Sequence, residues 1–105
     1  MRLFGATALA LAAGTGFGCG KKVDCNAFCE REAQCVAEIA VVLGTATPEQ
    51  TKKLTEDNRK ALGERQRTRC QPNCTSPTKP SSVHSKWRTC LRTSDCTAFA
   101  KCVYR

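Results

Sequence analysis

Apolar and polar positions alternate at helical spacing along most of this chain. Cys25, Phe28, Cys29, Glu32, Cys35, Val36, Ile39 and Val42/Leu43 recur three or four residues apart, which predicts one amphipathic helix over 25–43. Asp24 stands at its N-cap and Gly44 at its C-cap. Thr47-Pro48-Glu49-Gln50 is a second helix start, with Thr as cap, Pro at the first position and Gln at the third. This second helix is expected to continue to about Cys70, on a weak apolar face of Leu54, Ala61 and Leu62 with Gly63 behind. Pro72 is expected to disturb the helix inside Cys70-x3-Cys74. Residues 71–82 hold Pro72, Pro77 and Pro80 among Ser, Thr and Asn and read as a loop. Val83, Trp87, Cys90 and Leu91 predict a short third helix. Thr93-Ser94-Asp95 offers a turn and a cap for a last one from Cys96 to about Val103. The expected fold is all-α, a small bundle of three or four short helices.

Such a bundle is short of apolar material. The first 18 of the 105 residues read as removable, which leaves 87, at the lower end of what a single core can stabilise. Its nine cysteines are the expected remedy, since a disulfide contributes roughly 2–4 kcal/mol. Such a density belongs to an oxidising compartment. Cys25, Cys29, Cys35, Cys70, Cys74, Cys90, Cys96 and Cys102 therefore read as a structural set of four disulfides. Cys25 and Cys29, one turn apart, can reach a single neighbouring helix, while Cys35 points to a different partner.

The ninth cysteine lies in a segment of different character. Met1-Arg2 is a minimal basic start, and Leu3 to Ala13 is an apolar run of signal-peptide length, too short to span a bilayer. Small residues lead to Cys19. Residues 1–18 resemble the signal peptide of a bacterial lipoprotein precursor, with Gly18 before the cut and Cys19 as the acylated N-terminus. They depart from that family at Gly16 and Phe17, where it has Leu and then a small residue. Ordinary cleavage after Ala10-Leu11-Ala12 is the competing reading and would leave nine thiols. In the family, a residue such as Gly20 after the acylated cysteine implies the outer membrane. Residues 19–23 would then be a tether, with Lys21 and Lys22 near headgroups, and residues 24–105 the cysteine-rich domain.

Charge alters this picture only slightly. The formal net charge is +8, distributed as an acidic first helix followed by basic segments. An acidic helix packed by basic neighbours is the expected arrangement. Arg65-Gln66-Arg67-Thr68-Arg69, with Lys52, Lys53, Arg59 and Lys60, could meet an anionic surface of the envelope, but reads more simply as a solvated face. Nucleic acid is not an expected partner.

Chemical motifs are absent. Structural zinc favours C-x2-C pairs, none occurs, and His84 is the one histidine. A thiol oxidoreductase would need the same pair. Ser81, Ser82 and Ser85 beside His84 form no nucleophile elbow. No catalytic residue, metal, cofactor or small-molecule substrate is expected. Trp87 and Tyr104 read as packing residues rather than ligand contacts.

Two further resemblances concern the cysteines. The two Cys-x3-Cys elements are similar to small proteins in which two such helices form an antiparallel hairpin, outer cysteine to outer and inner to inner. That likeness implies Cys25–Cys74 and Cys29–Cys70, leaving Cys35–Cys102 and Cys90–Cys96 as one pairing among many for the rest. The layout through Cys90-x5-Cys96-Thr97-Ala98-Phe99-Ala100-Lys101-Cys102-Val103 resembles the small cysteine-rich lipoproteins of Gram-negative bacteria, myxobacteria especially. Those proteins are mostly of unknown function; the signal-like start, the one-plus-eight cysteine count and the lack of a catalytic set lead instead to the expectation of a non-enzymatic envelope lipoprotein, structural or interacting. A secreted cationic mini-protein, acting as toxin, inhibitor or antimicrobial, is the alternative.

Overall fold

The structure, a computed structural model, describes residues 22–105. The signal-like segment, Cys19, Gly20 and Lys21 lie outside the described residues. Six helices and no strand occur among the described residues: α1 (Cys25–Gln34), α2 (Val36–Leu43), α3 (Pro48–Lys52), α4 (Glu56–Thr75), α5 (Ser81–Cys90) and α6 (Cys96–Tyr104). Helix α1 packs along α4, α2 along α6, and α5 against α6. The all-α, disulfide-stapled class read from the sequence is the observed one.

The helix count rises because two expected helices each divide. The first breaks at Cys35, whose φ of −105° and ψ of 18° leave the helical region. The cause is partner choice: α1 is committed to α4, while Cys35 is bonded to Cys96 at the start of α6. The turn at Cys35 lets α2 leave the line of α1 and lie along α6. The second helix divides at Lys53–Thr55. Thr55 is extended, at φ −72° and ψ 163°, and its hydroxyl accepts the Asn58 amide at 3.0 Å. Glu56 and Asp57 in the following turn suit the positive end of a new helix.

Other boundaries follow the expected chemistry. Asp24 caps α1 through the Ala27 amide, Asp95 caps α6 through the Ala98 amide, and Thr47 and Gln50 form a reciprocal capping box. Gly44 ends α2 in the left-handed conformation at φ 80°, where a Cβ would be strained. Pro72 does not end its helix, and both Cys70 and Cys74 remain in α4. The hydrogen bond that Pro72 cannot donate belongs to an exposed face. The cysteines on either side of it are bonded to α1, which holds the backbone on its helical course.

The core is small and centred on Phe28. Its ring stacks on Trp87 at 4.4 Å between centroids and meets Phe99 at 5.8 Å. Phe99, Cys29, Cys35, Cys74 and Cys90 are fully buried around it. Sulfur thus supplies much of the interior that aliphatic side chains supply elsewhere.

Candidate functional site

All eight cysteines from Cys25 to Cys102 are paired. Cys25–Cys74 and Cys29–Cys70 cross-link α1 to α4, with Cα separations of 5.8 and 5.5 Å. That is the pairing implied by the hairpin resemblance. The other two differ from the expectation: they are Cys35–Cys96 and Cys90–Cys102, not Cys35–Cys102 and Cys90–Cys96. Cys96 and Cys102 are six residues apart on α6 and emerge on different sides of it. The α6 start meets the α1–α2 break, and its far end meets α5, so each sulfur takes the helix it faces.

The point where the chain enters the domain is a built feature. Val23, assigned to the tether by sequence, is buried at 4% exposure. Its amide donates to Nδ1 of His84 at 3.2 Å. His84 is itself buried, with its ring edge against Trp87 at 5.6 Å. Because Nδ1 accepts, the neutral ring carries its proton on Nε2, and Nε2 has no partner among the described residues. Burial lowers the His84 pKa, and Lys22, Arg88 and Lys79 lower it further by repulsion. Lys79 also lies over the Trp87 ring, 5.8 Å from its centroid. Three cations, Lys22, Lys79 and Arg88, therefore act on the buried Val23–His84 contact. The sequence carried the signals, Lys22, Lys79 and Arg88, but spread them over three segments.

A second polar node centres on Glu32. Glu32 is buried, and its two oxygens accept from Tyr104 Oη and Gln66 Nε2, both at 2.6 Å. Desolvation raises the Glu32 pKa despite those donors and the Arg69 charge; burial and Glu32 together raise that of Tyr104. The node ties α1, α4 and α6 at one point. Arg31 does similar work elsewhere, donating to the carbonyls of Thr93 and Leu91 at 2.7 and 3.4 Å with its guanidinium over Phe99. The acidic α1–α2 segment meets basic α4 as expected: Arg67 pairs with Glu30 at 2.9 Å and also with Glu64, and Arg59 lies 3.9 Å from Glu38.

These groups make their contacts within the fold. His84 Nδ1 is taken up as the acceptor of the Val23 amide. Trp87 is in the core, and Tyr104 is partly exposed with its hydroxyl on Glu32. Among the described residues no cluster of three or more His, Cys, Asp or Glu side chains could hold a metal ion, and no helix is long and apolar enough to cross a membrane. No family model, curated protein or solved structure matches the chain.

Proposed function

We propose that this protein is a cell-envelope lipoprotein, anchored by acyl chains at Cys19, whose helical domain is a non-enzymatic interaction module. The observation that carries the reading is the cysteine account. Four disulfides engage eight of the nine cysteines, and the ninth stands directly after a signal-like segment, where the thioether to lipid would form.

The root of the tether supports it. Three residues separate Cys19 from the buried Val23, a reach of at most about 14 Å over four extended steps. An anchor at Cys19 would therefore hold the domain flush with the bilayer. The cations that act on His84 beside that point of entry are Lys22, Lys79 and Arg88. Each cation near an anionic leaflet contributes about 1 kcal/mol of attraction, and two or three acyl chains provide the firm attachment that a single chain lacks. Gly20 favours the outer membrane as its destination.

The test is a pair of strains producing the natural chain and Cys19→Ala, fed an alkyne-tagged fatty acid and then fractionated. The natural chain is expected in the membrane fraction carrying the tag, and the variant in the soluble periplasmic or secreted fraction without it. An untagged natural chain recovered as soluble protein would overturn the reading in favour of the secreted mini-protein.

A further inference from the structure

We infer that the cleft between α2, α3 and α6 is a binding site for a single-chain anionic amphiphile, an alkyl carboxylate or alkyl phosphate. It has a volume of about 450 Å³, within the range of small-molecule sites. Its floor is apolar, formed by the half-buried Val41 and Val42 of α2 with Pro48 of α3. Its rim is cationic: Lys52 from α3, Arg59 from α4, Lys101 from α6 and Arg105 at the α6 C-cap.

One acid, Glu38, faces these four bases. Arg59 answers it at 3.9 Å, while Lys52, Lys101 and Arg105 have no ion pair among the described residues. The excess positive charge selects an anionic end, and the floor selects an aliphatic body. The α3 wall contributes no buried residue to the core, so it can shift to admit a chain without unpacking the domain. An anionic head at the rim replaces water around three converging cations, and each methylene on the floor leaves water. This inference is independent of lipid attachment at Cys19.

The test uses the full chain carrying Cys19→Ala, exported so that the disulfides form, titrated with hexanoate, octanoate, decanoate and decyl phosphate below their micelle concentrations, and with inorganic phosphate. Methyl and amide NMR shifts report the site. Shifts at Val41, Val42 and Thr97 are expected, with affinity rising roughly threefold to fourfold per buried methylene. Decyltrimethylammonium is expected not to bind, and Lys101→Glu/Arg105→Glu is expected to weaken decanoate at least tenfold, with its circular dichroism unchanged. Four results would overturn the inference: no shift with decanoate; equal binding of the cationic detergent or by the charge-reversed variant; shifts centred instead on Arg65 and Arg69; or inorganic phosphate binding as tightly as decyl phosphate.

Discussion

Gly63→Ala sets two calculable effects against each other. In an exposed helix the change is favourable by about 0.8–1 kcal/mol. Gly63, however, is buried in α4 against α1, and a Cβ there would stand 2.9 Å from the carbonyl oxygen of Ala33. The neighbour is backbone in a regular helix and cannot rotate away. The two helices must separate by a few tenths of an ångström, although Cys25–Cys74 and Cys29–Cys70 clamp them further along. Separation would also stretch the Gln66–Glu32 bond of 2.6 Å and the Arg67–Glu30 pair of 2.9 Å. Overpacking of this kind costs about 1–3 kcal/mol, so the clash outweighs the propensity gain. A net loss of about 1 kcal/mol is expected, or a fall in Tm of roughly 4–8 °C. Guanidinium unfolding under non-reducing conditions, followed by circular dichroism, measures it. Ala61→Gly, on the exposed face of the same helix, calibrates the propensity effect, with an expected loss near 1 kcal/mol. Equal or greater stability for Gly63→Ala would refute the close α1–α4 packing.

Three further predictions follow from the same geometry. Proteolysis of the oxidised protein and mass spectrometry are expected to yield a peptide joining Cys35 to Cys96 and another joining Cys90 to Cys102; a Cys35–Cys102 peptide would contradict the α6 placement. His84, with its pKa held below the ordinary 6.5, contributes stability that is complete above pH 6.5 and lost as pH falls through its folded value. His84→Gln should therefore flatten the dependence of Tm on pH below 6.5, and an unchanged slope would show that burial and the neighbouring cations do not hold His84 neutral. Glu32 has the opposite sign: its raised folded pKa makes stability grow as pH falls from above that value towards the ordinary 4.5. Removing its hydroxyl partner by Tyr104→Phe should cost about 1–3 kcal/mol at neutral pH and markedly less below pH 4.5, as read from paired Tm profiles.

Much of the fold was legible because local signals carried it. Asp24, Thr47 and Asp95 are caps by their own chemistry, Gly44 needs its positive φ, and the period of Phe28, Trp87 and Phe99 places them inside. The breaks at Cys35 and Thr55 were not legible from periodicity. At Cys35 the pattern runs on unbroken, and only the tertiary choice between α4 and α6 turns the chain. At Thr55 the cap was present, but an earlier and stronger capping box masked it. Pro72 misled in the other direction, because a propensity argument has no knowledge of two cross-links holding the helix. The Cys35 and Cys90 partners depend on which side of α6 faces each neighbour, a three-dimensional fact. Of the candidate sites, the cleft was illegible, since Val41, Lys52 and Lys101 belong to three helices that only the fold brings together. His84 appeared as an isolated residue until Val23 was placed beside it.

The central claim is the separation of one lipid-bearing cysteine from eight that are paired. Intact mass of the protein from fractionated cells, after blocking free thiols and with or without reduction, tests it most directly. A membrane-bound chain beginning at Cys19 is expected, with added acyl mass, no blocked thiol before reduction and eight after it. A soluble chain cut near Ala12, or one with blocked thiols before reduction, would contradict it.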